Sequence, residues 1–202
     1  MDSQAIKEQK TKIRKEIIQR RNAIAPPDMI AHSKRICNLI MAESRYLKAK
    51  DILLYMSYSS EVKTDLLFET ALKEGKNVYF PKITNDEMDF YKVTSFTDFA
   101  TGYKGISEPF CCEQSYHKSD SNSAIIIVPG CVFGRDGYRI GYGKGYYDRF
   151  LARYPGLYKI GICYSVQMID SCPCDSYDIQ MDEIICEKEI LTKSGKGEAR
   201  WI

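Results

Sequence analysis

The sequence predicts an α/β fold, a three-layer α/β/α sandwich with a largely parallel central sheet, in a single domain. Helix-like and strand-like patterns alternate along the chain, which is typical of this class. Residues 124–128 (AIIIV) are apolar at every position, as in a central strand that helices cover on both faces. The chain has 202 residues, which is enough to bury one substantial core.

Apolar spacing and helix breakers define the predicted helices. In residues 5–24, isoleucines recur on one face and lysines and arginines fill the rest. Pro26 and Pro27 end this helix and begin a second one, which runs to about Tyr46. Thr64 is predicted to N-cap a helix over residues 65–74, and residues 146–154 form the last predicted helix.

The predicted strands are short apolar runs between turn residues. They cover residues 52–57, 77–81, 89–93, 124–128, 159–163 and 183–187. Residues 95–123 are polar and indicate an irregular surface loop. We expect residues 1–190 to form the domain and residues 191–202 to be a flexible C-terminal tail.

Composition excludes several classes of protein. Apolar residues make up 44% and the net charge is +2, which does not fit a disordered chain or a strongly basic nucleic-acid binder. The longest apolar stretch is far shorter than the roughly 20 residues of a membrane span. We therefore expect no nucleic-acid partner and no membrane.

The N-terminus and the cysteines indicate a cytoplasmic protein. The first 15 residues are charged and lack the apolar core of a signal peptide. Eight cysteines and two histidines occur without the spacing of a zinc site. We expect free thiols, several of them buried as small apolar side chains.

One stretch concentrates glycine and charge: residues 128–151, VPGCVFGRDGYRIGYGKGYYDRFL. It begins at the end of the most apolar strand and ends in a helix. Glycines at such a junction let backbone amides turn toward an anion, and the helix N-terminus adds its positive dipole end. Arg139 and Lys144 add full positive charges, and Asp148, one turn into the helix, could hold magnesium against phosphates.

A second interpretation of this stretch stays open. It is not a P-loop, because Gly145 follows Lys144, and it lacks the spacing of the dinucleotide fingerprint. Asp136 and Gly137 are typical of a tight hairpin turn that binds nothing. Tyr146 is equally consistent with ligand contact and with core packing.

Three further features carry charge at informative places. Lys10 and Arg14 are four residues apart, on one helix face, which could also be an ordinary solvated face. Glu61 follows a strand end, where α/β sheets border a ligand crevice, but it could lie in a surface loop. Asp182 precedes an acidic strand that could simply be exposed.

Together these pieces resemble the 5-formyltetrahydrofolate cyclo-ligase family, also called methenyltetrahydrofolate synthetases. The resemblance covers most of the chain. It includes the helix with Lys10 and Arg14, MSYSSEVKTD at 56–65, FPKI at 80–83, residues 128–151, and DIQMDEII at 178–185.

The resemblance implies a reaction in which ATP and 5-formyltetrahydrofolate give ADP, phosphate and 5,10-methenyltetrahydrofolate, with magnesium. Phosphorylation of the formyl oxygen would make it a leaving group, and the neighbouring amine nitrogen would close the ring. Such chemistry needs positioning and charge neutralisation more than a protein nucleophile.

The resemblance also implies site residues. Lys144 and Arg139 would be the catalytic cations, and Asp148 and Asp182 would hold magnesium. Folate would contact Met56, Glu61, Tyr142, Gly143, Lys144, Gly145 and Tyr146. ATP would contact Lys10, Arg14, Arg139, Gly141, Tyr142, Gly143, Lys144, Gly145, Tyr146 and Tyr147.

The chain departs from the family pattern at two positions. Tyr142 stands where many members have arginine, which removes one cation from the phosphate site. Gly134 stands where members often have aspartate, which we interpret as a turn variation.

Three functional hypotheses follow. The first is an active cyclo-ligase, a monomer acting on ATP and 5-formyltetrahydrofolate. The second is a non-catalytic nucleotide- or folate-binding relative that regulates a partner. The third is a different enzyme on a similar scaffold, acting on a sugar phosphate or a thioester.

Overall fold

A computed structural model describes residues 3–102, 105–110, 114–117, 123–193 and 200–201. The helices are α1 (Ser3–Asn22), α2 (Pro26–Ala42), α3 (Ser44–Lys48), α4 (Asp65–Lys73) and α5 (Tyr146–Arg153). The strands are β1 (Asp51–Leu53), β2 (Asn77–Thr84), β3 (Glu87–Val93), β4 (Phe99–Thr101), β5 (Ser107–Pro109), β6 (Ala124–Val128), β7 (Val132–Gly134), β8 (Arg139–Ile140), β9 (Tyr158–Ile162), β10 (Met168–Ile169), β11 (Glu183–Ile185), β12 (Glu189–Thr192) and β13 (Arg200–Trp201).

An eight-stranded sheet forms the centre of the molecule, in the order β13-β12-β11-β9-β6-β1-β2-β3. All pairings from β11 through β2 are parallel, and β6 lies at their middle with Ile125 opposite Ile52. The pairs β2–β3, β11–β12 and β12–β13 are antiparallel. The predicted α/β class with a largely parallel sheet is therefore confirmed.

Strand β6 shows why the sheet is covered on both faces. Ile125 and Ile127 point into a core shared with α2 and α4, while Ile126 and Val128 point into a second core shared with α5. Each of these side chains is almost fully buried, and each contributes about 1.5–3 kcal/mol of hydrophobic stabilisation. The five apolar residues thus fit a position between two helical layers.

Helix α1 packs away from the large sheet. Its Ile17 contacts Cys131, Val132 and Ile140, next to a small sheet in the order β10-β7-β8. Because this small sheet directly precedes the glycines at 141, 143 and 145, the packing sets one face of α1 against that part of the chain. This contact positions the site described below.

Several predicted boundaries are wrong for local reasons. The second helix ends at Ala42, because Glu43 is extended (φ −71°, ψ 137°), and α3 follows as a separate helix. Thr64 lies at the start of α4 but does not cap it, since its hydroxyl donates to the Tyr55 carbonyl at 2.7 Å. The strand predicted at residues 52–57 ends at Leu53.

Residues 95–123 are more regular than predicted. A short 3₁₀ turn at Phe96–Asp98 leads into β4, which pairs antiparallel with β5. Residues 118–122 of the polar run lie outside the described residues. Strand β12 (Glu189–Thr192) includes residues on both sides of the predicted boundary between domain and tail at residue 190. The division into domain and tail stays a prediction.

Two composition-based expectations can be compared with the described residues. The six described cysteines are unpaired, and five of them are buried; Cys111 and Cys112 lie outside the described ranges. Within the described ranges, no helix is both long enough and apolar enough to cross a membrane.

Candidate functional site

Three loops meet at the carboxyl edge of the parallel strands. They follow β1, β8 and β9, and hydrogen bonds to Glu61 join them. The Tyr142 hydroxyl donates to Glu61 Oε1 at 2.8 Å, and the Tyr164 hydroxyl donates to the Glu61 carbonyl at 3.3 Å. Ligands bind at this edge in open α/β sheets. Glu61 therefore lies where the sequence predicted a crevice, and not in an outlying surface loop.

The glycine-rich stretch divides into a hairpin and a glycine segment. Strands β7 and β8 form the hairpin, and Gly137 at its turn has φ 85°, so these residues form the predicted tight turn. The glycine segment is residues 141–145. Gly143 (φ 95°) and Gly145 (φ 67°) have left-handed backbones that favour glycine.

Helix α5 begins directly after the glycine segment. Gly145 occupies its N-cap position and provides no side-chain cap. The first-turn N–H groups of a helix have no partner inside the helix and favour an anion. The end of the glycine segment is thus suited to phosphate.

Three cations lie at the glycine segment, and one of them, Arg149 of α5, donates through Nη1 to the Lys144 carbonyl at 2.8 Å. Arg14 of α1 donates through Nε to the Gly141 carbonyl at 2.7 Å. A side chain at Gly143 would place its Cβ 3.5 Å from Arg14 Nη2, so the guanidinium lies against the segment. Lys144 is exposed, and its ammonium has no partner among the described residues. The predicted ATP residues Arg14, Gly141, Gly143, Lys144 and Gly145 are therefore brought together.

Lys10 shares a helix face with Arg14, as predicted, but its charge is engaged elsewhere. Its ammonium pairs with Asp178 and lies 3.6 Å from Asp175. These carboxylates belong to the loop before β11. A contact between Lys10 and a nucleotide stays a prediction, and it would require this pairing to loosen.

Glu61 is a buried carboxyl, 6% exposed. Burial raises its pKa, while hydrogen bonds from the Tyr58 N–H and the Tyr142 hydroxyl and the charge of Arg21 oppose that rise. The Tyr58 N–H lies 2.9 Å from Oε2. These groups favour the ionised form, but burial is the larger effect and the pKa is raised overall. A buried carboxyl with a raised pKa at a ligand-binding edge is a functional-site candidate.

Arg21 is a functional candidate that the sequence analysis missed. It is 3% exposed, and it donates through Nε to Ser60 Oγ at 3.0 Å and through Nη2 to the Tyr142 hydroxyl at 3.1 Å. Its Nη1 has no hydrogen-bond partner within the described ranges. The available signal was that Arg21 follows Ile17 by four residues, a charge on the apolar face of α1.

Arg139 and Asp148 pair with each other. Nη1 and Nη2 of Arg139 lie 3.0 and 3.3 Å from the two carboxylate oxygens of Asp148. The Ile179 N–H donates to the same carboxylate at 3.1 Å, and Arg139 is buried. In this arrangement neither residue offers a free charge, so their predicted roles toward phosphate and magnesium stay predictions.

Asp182 lies at the opposite edge of the sheet, before the first residue of β11. Its carboxylate accepts from the Lys159 N–H at 2.8 Å and from the Lys159 ammonium at 2.7 Å. It lines a cavity of about 270 Å³ together with Arg45 and Lys48. The structure therefore does not bring Asp182 into the cluster at the carboxyl edge.

The carboxylates do not form a magnesium site in this arrangement. In the described part of the chain, no group of three or more His, Cys, Asp or Glu side chains could hold a metal ion. Asp148 and Asp182, predicted as ligands, are each bonded to a cation and to a backbone N–H. These hydrogen-bond partners are typical of carboxylates that stabilise the fold, and they fit a bound metal ion less well.

The remaining predicted contacts pack into the fold. The Tyr146 hydroxyl donates to Asp86 at 2.8 Å, and Tyr147 packs in the second core near Phe90. Met56 packs against the first core. For Tyr146 and Tyr147 this is the core-packing alternative, and ligand contact by these residues stays a prediction.

Among the described residues of the site, the thiol of Cys131 is not prepared for nucleophilic attack. Cys131 is buried near Arg14 and Arg21, and its burial raises the pKa of the thiol to about 11. The thiol is therefore protonated near neutral pH, whereas the thiolate is the nucleophilic form. The arrangement suits charge neutralisation and positioning instead of covalent catalysis.

Comparison with known proteins gives a consistent family. Residues 6–187 match the model of the 5-formyltetrahydrofolate cyclo-ligase family. A probable 5-formyltetrahydrofolate cyclo-ligase of Caenorhabditis elegans is 31% identical, over 93% of this chain and 97% of the relative. A second one, of Schizosaccharomyces pombe, is also 31% identical, over 80% of this chain and 86% of the relative.

A solved structure has the same fold. The NMR structure of the Aquifex aeolicus 5,10-methenyltetrahydrofolate synthetase superimposes with a TM-score of 0.81 at 32% identity. The alignment covers 93% of this chain and 94% of that one.

Proposed function

The chain belongs to the 5-formyltetrahydrofolate cyclo-ligase family, and from this premise we propose that it converts 5-formyltetrahydrofolate into 5,10-methenyltetrahydrofolate with ATP and Mg²⁺. ADP and phosphate are the other products. The observation that carries the proposal is the contact between Tyr142 and Glu61, 81 residues apart in sequence. This contact brings the glycine segment, which is suited to phosphate, next to a buried carboxylate that can bind the folate ring.

The proposed reaction has two steps. The formyl oxygen attacks the γ-phosphorus of ATP, the bond to the β-phosphate oxygen breaks, and ADP leaves. The amine nitrogen N10 then attacks the activated formyl carbon and loses its proton. The C–O bond breaks, phosphate leaves with the electron pair, and the product retains one positive charge delocalised over both nitrogens.

The chain's own residues contribute positioning and charge. Lys144 and Arg14 neutralise the triphosphate, and the first-turn N–H groups of α5 bind its oxygens. Glu61 holds the ring so that the formyl oxygen faces the γ-phosphate. No residue forms a covalent bond to substrate, which agrees with the protonated state of Cys131.

Magnesium enters the proposal with the nucleotide. Mg²⁺ in such sites keeps several waters and binds mainly substrate phosphates with one or two carboxylates. Since Asp148 and Asp182 are already paired with Arg139 and Lys159, we assign the ion to the ATP phosphates.

The proposal also includes a working state and a location. We expect a monomer acting on small molecules in the cytoplasm, as the sequence predicted. Light scattering of the purified chain tests the first expectation, because a monomer has a mass of 23.2 kDa.

A near-ultraviolet absorbance assay tests the function. The purified chain is mixed with 5-formyltetrahydrofolate, ATP and Mg²⁺, and the growth of the methenyl chromophore is followed. We expect growth that stops when either ATP or Mg²⁺ is omitted. Binding of ATP or folate without chromophore growth would favour the non-catalytic relative, and absence of both would favour a different enzyme.

A further inference from the structure

The Tyr142 hydroxyl bridges a buried cation and a buried anion. It accepts a hydrogen bond from Arg21 Nη2 at 3.1 Å and donates one to Glu61 Oε1 at 2.8 Å. One hydroxyl therefore makes a hydrogen bond to a guanidinium and another to a carboxylate, and these two charged groups form no ion pair with each other. We call Arg21 and Glu61 the bridged pair.

The bridged pair matches the edge of a cyclic amide. Such an edge carries a carbonyl oxygen, which accepts from a guanidinium, beside a ring N–H, which donates to a carboxylate. The pyrimidinone ring of a folate has this edge, with an amino group as a further donor. The hydroxyl of Tyr142 makes the same two kinds of hydrogen bond from a single atom.

Arg21 retains a donor for this purpose. Nη1 is buried and has no partner among the described residues, while Nε is fixed on Ser60 Oγ. A buried donor without a partner is costly, and a carbonyl oxygen with two lone pairs could accept from both Nη1 and Nη2. The guanidinium is thus held in place with one N–H unused.

The charge balance favours a neutral ring over phosphate at this place. Glu61 opposes the positive charge of Arg21 across the Tyr142 hydroxyl. A carboxylate this close repels a polyanion, whereas a neutral amide edge complements both charges. At the glycine segment, the hydrogen bond of Arg14 goes to the Gly141 carbonyl, and neither Arg14 nor Lys144 has a carboxylate partner among the described residues.

We propose that Arg21 is a ring-recognition residue: it donates to the carbonyl oxygen of the folate pyrimidinone ring while Glu61 accepts from the adjacent N–H, and the Tyr142 hydroxyl holds their place until substrate displaces it. The inference rests on the proposed function, because it takes 5-formyltetrahydrofolate as the ligand. It assigns a specificity role to a residue that the sequence pattern did not identify.

Calorimetric binding without ATP tests the inference. Two ligands are compared: 5-formyltetrahydrofolate and its analogue with an amino group in place of the ring carbonyl. We expect the unsubstituted chain to prefer the carbonyl form by at least about tenfold, because the amino group presents a donor to Arg21 and the exchange also removes the ring N–H that faces Glu61. The Arg21 variant therefore separates the contribution of Arg21 from that of Glu61. Arg21→Met should weaken the carbonyl form by about 10- to 100-fold and the amino analogue by less than about threefold.

Matched variants separate recognition from folding. Arg20→Met changes the neighbouring arginine, which is more than half exposed and pairs with Glu16, so both affinities should stay as they are. Arg21→Lys keeps the charge but loses the planar fork, and it should reduce the preference by a smaller factor than Arg21→Met. If Arg21→Met does not fold, as thermal unfolding would show, Arg21→Lys alone decides.

Three results would overturn the inference. They are an equal loss of affinity for both ligands in Arg21→Met, an unchanged preference in both Arg21 variants, and, in a separate titration with ATP alone, a loss of ATP affinity while both folate affinities stay as they are. Failure of the proposed function looks different, since the unsubstituted chain would then bind no folate or form no chromophore with ATP.

Discussion

Two arginine–carboxylate pairs lie near the carboxyl edge of the sheet, and they are built differently. In the closed pair, Arg139 and Asp148, both Nη atoms contact the carboxylate directly. In the bridged pair, Arg21 and Glu61, a tyrosine hydroxyl lies between cation and anion. In the closed pair the two charged groups contact each other, whereas in the bridged pair a ligand could replace the hydroxyl between them.

The surroundings of the two pairs reinforce this difference. Asp148 also accepts from the Ile179 N–H, so the closed pair ties β8 and α5 to the segment before β11. Around the bridged pair, the hydrogen bonds go to Ser60 and the Tyr58 N–H within one loop. Each arginine has one buried nitrogen without a partner in the described ranges, but this is Nη1 in Arg21, at the end of the guanidinium, and Nε in Arg139. We infer that the closed pair stabilises the site and the bridged pair binds in it.

The largest expected effect concerns Lys144, a cation that belongs to neither pair. Arg14 also belongs to neither pair, but it is hydrogen-bonded to the Gly141 carbonyl. The Lys144 ammonium has no partner among the described residues, so Lys144 should carry most of the charge stabilisation at the γ-phosphate. Lys144→Ala should lower kcat by about 100- to 1000-fold without loss of folding, measured by chromophore growth and thermal unfolding. Lys73→Ala, an exposed lysine on α4, is the control, and a Lys144 variant with wild-type turnover would remove Lys144 from the site.

The next effect breaks the closed pair. Asp148→Asn leaves the buried Arg139 without its counter-charge and should lower the free energy of unfolding by about 2 kcal/mol, measured by urea titration. Asp89→Asn, which breaks a more exposed pair with Arg153, should cost less than about 1 kcal/mol. Full stability of Asp148→Asn with a changed Mg²⁺ requirement would instead support a metal ligand.

A third prediction uses the ionisation of Glu61. Burial raises its pKa, so acidification protonates the carboxylate at a pH above the ordinary glutamate pKa of about 4.3. Folate affinity should fall over the same pH range. Four groups lower the pKa of Glu61 and so oppose the effect of burial: Arg21, Lys63, the Tyr58 N–H and the Tyr142 hydroxyl. Removing a cation disfavours the carboxylate, so Arg21→Met should move the midpoint to higher pH.

Folate dissociation constants measured across pH in both proteins check this shift. A midpoint at the same pH in both would contradict the electrostatic coupling within the bridged pair.

The smallest effect removes the bridge itself. Tyr142→Phe deletes the hydroxyl that occupies the bridged pair but retains the aromatic ring. Because substrate no longer displaces a hydrogen-bonded group, folate should bind about two- to tenfold more tightly. Calorimetry measures this directly, and weaker binding would show that the hydroxyl itself contacts the substrate.

The fold was more predictable than the chemistry of the site. β6 was predicted with its observed bounds because five consecutive apolar residues suit only a doubly covered strand. The end of α2 at Ala42 was missed, since neither Glu43 nor Ser44 is a strong helix breaker. Thr64 was misjudged because its hydroxyl bonds to the Tyr55 carbonyl in a loop that no local pattern describes.

The sequence could predict where the site lies, but not which of its charged residues face a ligand and which pair with each other. The glycine segment and Glu61 were identified because glycine spacing and a strand end are local signals. Arg139 and Asp148 looked like ligands of phosphate and metal because their mutual contact depends on the hairpin geometry. Arg21 was hidden in a basic helix, and only packing places it against Tyr142, 121 residues away.

A crystal structure of the chain with 5-formyltetrahydrofolate tests the central claim most directly. We predict that the folate ring occupies the bridged pair, with its carbonyl oxygen on Arg21, its N–H on Glu61, and the Tyr142 hydroxyl displaced from both. The Arg139–Asp148 contact should remain intact in the same structure. A folate bound elsewhere, with Tyr142 still between Arg21 and Glu61, would contradict the account.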